Sequence, residues 1–157
     1  MSEAVLIRPV VAADQPAWRV LWDGYNAFYG REGPTALPEV VTRTTWARVL
    51  QANEPVHALV AVRGTELVGL CQYLFHRSTT RIADVCYLQD LFTAPAARGQ
   101  GVGGRLIEAT CERARSVGCS RVYWQTQQAN STARSLYDRL AQFKGFIVYD
   151  RQLQPPG

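Results

Sequence analysis

One stretch constrains this chain more than any other: Tyr87 to Thr110 reads YLQDLFTAPAARGQGVGGRLIEAT. An alternating, strand-like run leads into a loop holding Pro95 and Arg98, and then Gly99, Gly101, Gly103 and Gly104 fall within six residues. A helix-like run follows at once. Each glycine costs chain entropy, and in a helix's first turn it gives up roughly 0.5–1 kcal/mol against Ala. A tight turn accounts for one or two of them, not four. A strand, a bare backbone and a helix start in that order suit an anion. Loop N–H groups and the unsatisfied first helical turn converge on one spot with partial positive charge behind them, and phosphate reaches it only where side chains stay away.

Two familiar phosphate loops fit poorly. Gly99 to Gly104 formally satisfies G-x-G-x-x-G, but a dinucleotide fold carries it directly after its first strand, with an acid about 20 residues on. Here the glycines come two-thirds of the way along, and the corresponding region, RVYWQT, has no carboxylate. A Walker A loop is missing its Gly-Lys-Ser/Thr.

The rest of the chain supplies the frame. Ala4–Val10 reads as a strand ended by Pro9. Asp14 is placed to cap a helix in which Trp18, Leu21, Trp22, Tyr25 and Phe28 repeat at three and four, stopped at Gly30. A second helix runs from Pro38 with Val41, Trp46, Val49 and Leu50 inward. VHALVAVR and ELVGLCQYLFHR flank Gly64-Thr65, a two-residue hairpin signal. After the RIADVCYLQDLFTA strand and the glycines, a helix with Val102, Leu106, Ala109, Ala114 and Val117 on one stripe closes at Gly118. CSRVYWQTQQ reads as a strand, Asn130 caps a last helix, GFIVYDRQL reads as a final strand, and 153–157 as a frayed tail. Tight turns followed by strand–helix–strand units imply an α/β fold with a mixed sheet and helices on both faces.

Composition removes several function classes. The formal charge is +4 with no lysine or arginine run, which gives nucleic-acid binding little support. No apolar run approaches the roughly 20 residues of a spanning helix, and the N-terminus does not read as a secretory signal. Cys71, Cys86, Cys111 and Cys119 form no CxxC, and His57 and His76 sit on strands without partner ligands. Neither metal site nor disulfide framework is expected; free thiols in a reducing cytoplasm are.

A third reading of the loop matches residue for residue. Arg98-x-x-Gly101-x-Gly103 resembles the Arg/Gln-x-x-Gly-x-Gly/Ala signature of the GCN5-related N-acetyltransferases, the GNAT superfamily. LQDLFTAPAARGQGVG is similar to that family's fourth strand and pyrophosphate loop. NSTARSLYDR, with Asn130, Ala133, Leu136 and Tyr137, resembles its Asn-x-x-Ala-x-x-Leu-Tyr segment, and Gly145-Phe146 precedes the last strand as the family has it. The resemblance covers roughly residues 5–150. The first helix further resembles the branch of diamine, polyamine and fungal histone-type acetyltransferases.

The resemblance implies a single N-acetyltransferase domain over 1–157 with its core at about 5–152. It also implies a mixed, mostly antiparallel sheet of about six to seven strands, splayed between the fourth and fifth. Acetyl-CoA would be the co-substrate, with no metal, and a homodimer is expected at the level of the family. The cofactor would be held by Leu91, Phe92, Thr93, Arg98, Gly99, Gln100, Gly101, Val102, Gly103 and Gly104, together with Asn130, Ala133 and Tyr137, with an N–H near Phe92 polarising the thioester carbonyl. Tyr137 is the implied general acid. For the base, polyamine-type relatives carry Leu-Glu-Asp where this chain has Leu88-Gln89-Asp90. Glutamine takes no proton, though Gln89 could orient a water, and alternation puts Gln89 and Asp90 on opposite faces. Asp90, Asp84, Glu32 and a water relay all remain candidates. Tyr25, Tyr29 and Glu32 are expected to form the acceptor wall, where aromatics and a carboxylate suit a cationic amine. The expected activity is acetyl transfer to a primary amine of a small molecule or protein by direct attack in a ternary complex. The alternative is a catalytically silent acyl-CoA sensor, for which Gln89 speaks and Tyr137 does not.

Overall fold

The computed structural model describes residues 3–155. The chain divides into two compact units, one running to Gln125 and one from Thr126.

The first unit is a five-stranded sheet in the order of the chain. β1 (Val5–Pro9), β2 (Val56–Arg63), β3 (Glu66–His76) and β4 (Val85–Thr93) are antiparallel, and β5 (Val122–Tyr123) joins β4 in parallel. The Gly64-Thr65 turn closes the β2–β3 hairpin as its sequence dictates, with Gly64 in the left-handed region at φ 62°. α1 (Gln15–Phe28), α2 (Glu39–Val49) and α3 (Val102–Ser116) complete the unit.

Alternation along β3 sets the layers. Leu70 and Gln72 face α1: Leu70 packs with Trp18, Leu21, Trp22, Tyr25, Trp46 and Phe92, and the Trp18 indole donates to Gln72 Oε1 at 3.1 Å. Cys71 faces α3, its Sγ 3.4 Å from Thr110 Oγ1. Gly69 lies on that same side, where a Cβ would come within 2.9 Å of Val102, so the missing side chain lets the start of α3 sit down on the sheet. Along α1 the aromatic repeat makes a continuous stack, Trp18 on Trp22 and Trp22 on Tyr25, both with ring centroids 5.6 Å apart. Such pairs add about 0.5–1.5 kcal/mol each beyond the area they bury.

Several expectations need correction. Asp14 occupies the N-cap position but its carboxylate does not cap α1; it accepts two bonds from Arg8, at 2.7 and 2.9 Å, and one from the Val11 N–H, because a bidentate guanidinium outcompetes a neutral amide. Val41 and Leu50 are exposed, and Thr42 takes the inward place in α2, accepting from the Trp22 indole at 3.1 Å. Val117 is likewise exposed. Among the described residues the sheet has five strands, not six or seven. CSRVYWQTQQ pairs only at Val122 and Tyr123, and GFIVYDRQL forms no strand: its Phe146, Ile147 and Tyr149 are exposed. β-branched and aromatic content is half of what a strand requires. The other half is a partner edge, which composition does not reveal.

The second unit contains α4 (Ser131–Leu140), capped by Asn130 as predicted, with Asn130 Oδ1 accepting from the Ala133 N–H at 3.3 Å. Among the described residues no helix is long and apolar enough to cross a membrane.

Candidate active site

The glycine loop leaves β4 at Thr93, makes a single 3₁₀ turn at Pro95–Ala97 and enters α3 through Gly101. Gly99 and Gly101 stand at φ 75° and 81°, where a Cβ is disfavoured. Added to either, a Cβ would meet nothing within 4 Å, so both glycines border open space. No side chain caps α3, and its first bond is from Arg105 N–H to Gly101 O at 3.1 Å. The preceding N–H groups at Val102, Gly103 and Gly104 therefore have no intrahelical acceptor.

Two arginines attend the loop. Arg98 donates from Nε to Thr93 O at 3.2 Å and lays its guanidinium 5.5 Å over the Phe92 ring. Arg63, at the end of β2, donates to Gln100 Oε1 at 2.5 Å, and Gln100 also donates to Ala96 O. The Gln100 side chain is thereby tied back from the loop. The residues present fit a pyrophosphate: bare amides, an uncapped helix start and guanidinium groups beside them. Arg63 was not singled out from the sequence, since a strand-end arginine carries no signal of the loop it will meet.

β4 is the second component. β3 covers one edge from Val85 to Thr93, but on the other edge β5 pairs only at Cys86 and Tyr87. From Leu88 to Thr93 that edge has no strand partner among the described residues. The expected splay appears here as a β5 of only two residues, which leaves Leu91, Phe92 and Thr93, next before the glycine loop, without a strand partner on that edge among the described residues. The β3–β4 register slips by one, Gln72 facing Asp90 and Tyr73 facing Leu88, so Gln89 is the extra residue of a bulge. Its side chain is exposed, whereas Asp90 is buried.

Asp90 Oδ2 accepts from Gln72 Nε2 at 2.7 Å, and the Tyr25 phenol faces the same carboxyl. Trp18, Gln72, Asp90 and Tyr25 thus form one buried polar row. Burial raises the Asp90 pKa above the ordinary carboxylate range, against the opposing effects of Gln72, Tyr25 and the charge of Arg31. Burial, with the Asp90 charge second, also pushes the Tyr25 phenol upward, which keeps it protonated. A carboxyl raised in the folded state contributes stability that is complete below its unfolded value of about 3.9 and is lost as pH rises through the folded value. The melting temperature of the wild type is therefore expected to fall relative to that of Asp90→Asn as pH is raised from about 4 to about 7. Thermal melts across that range check it; a constant gap would show an unshifted carboxyl.

The wall beside this row comes from the end of α1. Tyr25 and Tyr29 are in contact, ring centroids 5.1 Å apart, and Gly24 abuts the Phe92 ring. Arg31 lies over both tyrosines, 5.7 and 5.5 Å from their centroids, and donates from Nε to Asn26 Oδ1 at 2.6 Å. Glu32 is exposed on the following loop. Asp84 is engaged elsewhere, accepting from Arg77 at 3.1 Å. All four thiols are pushed upward, chiefly by burial, Cys71 and Cys86 each to about 12, so none is poised as a thiolate nucleophile.

In the second unit Asn130 is held by its own cap and by donation from Nδ2 to Thr126 Oγ1 at 3.5 Å. Tyr137 lies seven residues on in α4, about two helical turns, and is partly buried.

Residues 18–143 match the model of the acetyltransferase (GNAT) family. The chain belongs to that family and is an N-acetyltransferase. It is 29% identical over 153 residues to the D-amino-acid N-acetyltransferase HPA3 of Saccharomyces cerevisiae, covering 96% of this chain and 92% of the relative. To the uncharacterized N-acetyltransferase YhfO of Bacillus subtilis it is 30% identical over 145 residues, 91% of this chain and 94% of that one. A solved structure of the aminoglycoside N-acetyltransferase AAC(6')-Iy in complex with CoA shares the fold at a TM-score of 0.80 and 18% identity, covering 97% of each chain.

Proposed function

We propose that this protein transfers acetyl from acetyl-CoA to the primary amine of a small molecule by direct attack in a ternary complex. The observation that carries the reading is the open space at Gly99 and Gly101, before the uncapped start of α3 and beside a β4 edge that has no strand partner from Leu88 to Thr93 among the described residues. Anionic phosphates suit the first, and an extended arm bearing amides suits the second. The names of the relatives support an amine as acceptor, a D-amino acid for the yeast protein and an aminoglycoside for AAC(6')-Iy. The raised thiols favour direct attack over an acyl-cysteine route.

When bound, acetyl-CoA supplies the activated acyl group. The loop from Arg98 to Gly104 holds its diphosphate, Leu91 to Thr93 align the arm, and Asn130 with Ala133 adds a polar hold. Tyr25 and Tyr29 orient the amine. As the C–N bond forms and the C–S bond breaks, the amine's proton passes through the Tyr25 phenol to Asp90, whose raised pKa suits it to accept. Tyr137 returns a proton to the departing thiolate.

Screening a panel of primary amines with acetyl-CoA, read as free thiol released, tests the reading. Turnover with at least one small amine is expected; tight CoA binding without turnover across the panel would mark a silent acyl-CoA sensor instead. Tyr137→Phe is expected to lower kcat by about 100-fold, within the range of a lost general acid, with little change in CoA affinity. Undiminished turnover in that variant would remove the acid role.

A further inference from the structure

Arg31 is an arginine in an unusual position. It is partly buried, its face rests on Tyr25 and Tyr29, and Nε is fixed by Asn26 Oδ1. Asn26 is itself buried and rigid: Nδ2 donates to Trp22 O at 2.9 Å, while its backbone oxygen accepts the Arg31 N–H at 2.9 Å. Among the described residues no carboxylate lies within 4 Å of the Arg31 nitrogens, as is true of most arginines here; what sets Arg31 apart is its partly buried seat on two phenol rings with Nε fixed. Asp90 is felt only through its field; its carboxylate accepts instead from the Gln72 amide. The terminal nitrogens, the fork that matches a carboxylate bidentately, have no acceptor among the described residues.

A guanidinium held on aromatic faces, with Nε fixed and no hydrogen-bonded carboxylate at its fork, is a ready seat for an anion. We infer that Arg31 is the carboxylate-binding residue of the acceptor subsite, and that the acceptor is an amino acid with a free carboxylate. This rests on the acetyl-transfer reading of the same site. The spacing favours a compact molecule. One side chain, Tyr25, touches Arg31 with its ring and Asp90 with its phenol, and the next residue back, Gly24, touches Phe92 on β4. An amine at the β4 edge and an anion at Arg31 would then border the same tyrosine, an arrangement that suits the two ends of an amino acid. Aromatics alone would have suited a polyamine, but a fixed guanidinium beside them repels a second ammonium.

The test uses matched acceptors with and without the carboxylate: phenylalanine and lysine in both enantiomers, phenethylamine and cadaverine, with O-phosphoethanolamine as the phosphate arm. For the wild type, kcat/KM is expected to favour the amino acid in at least one pair. In Arg31→Gln the amino acid should lose about 10- to 100-fold more than its decarboxylated partner, chiefly through KM, the scale of one hydrogen-bonded charge. Arg31→Lys should recover part of the loss, since it keeps the charge without the fork. Equal losses within each pair, or a wild-type preference for the bare amines or for the phosphorylated amine, would overturn the assignment. Should no acceptor turn over, the acetyl-transfer reading fails. Calorimetric titration of the same amino acids into the CoA-saturated protein then decides the carboxylate site by itself: binding lost in Arg31→Gln upholds it, and absent or unchanged binding ends it.

Discussion

Gly101→Glu is expected to weaken coenzyme A binding by about 100-fold or more, the equivalent of about 2.7 kcal/mol, while the protein still folds. Gly101 is at φ 81° with open space where a side chain would project, so the new carboxylate occupies the cradle without displacing any core residue. It fills the volume a diphosphate needs and presents like charge to it. The positive φ adds backbone strain of order 1 kcal/mol, too little to unfold a domain. Isothermal titration with CoA, alongside a thermal melt, separates the outcomes. Unchanged affinity in a folded variant would move the diphosphate elsewhere and remove the basis of the loop assignment.

The second large effect is on stability. Gln72→Leu is expected to cost about 2–4 kcal/mol and to lower the melting temperature by roughly 5–15 °C. Gln72 is the middle of a buried row, accepting from the Trp18 indole and donating to Asp90. Leucine matches its volume, so no cavity opens, and the loss reports the polar groups left behind. The buried Trp18 N–H is orphaned, and the buried Asp90 carboxyl keeps only the Tyr25 phenol. Part of the loss should be recovered in Gln72→Leu/Asp90→Asn, because the carboxyl's share of the penalty goes with its charge. If the single variant melted with the wild type, the row would be ornamental and Asp90 would have another partner.

The most legible part of the site was the part made of backbone. Four glycines in six residues after a strand have few uses, and the structure puts Gly99 and Gly101 at positive φ bordering open space. The aromatic period of α1 was legible for the same reason: a repeat at three and four declares its face without reference to anything distant. What stayed hidden depends on pairing. RVYWQT and GFIVYDRQL are rich enough in β-branched and aromatic residues for strands, yet β5 keeps two residues and the second segment none, because a partner edge must be available. The bulge at Gln89 was equally invisible, being a property of two strands together. Alternation nonetheless put Asp90 on the face opposite Gln89, and the burial of the one and exposure of the other agree with it. Arg31 and Arg63 had no signature, since each matters only for what lies across from it: two phenol rings for one, Gln100 for the other.

One contact ties these pieces mechanically. At Gly24 helix α1 rests against the Phe92 ring so closely that a single added carbon would lie 2.9 Å from it. That seam has no slack, and a close-packed interior transmits displacement instead of absorbing it. On the proposed reading, a strand-like ligand arm drawn against β4 would be felt by the helix that carries Tyr25 next along the chain. Whichever partner arrives first presets the space left for the other, and by reciprocity the preference must run in both directions. Donor and acceptor sites would then share one seam, and the close approach that couples them depends on one absent methyl group.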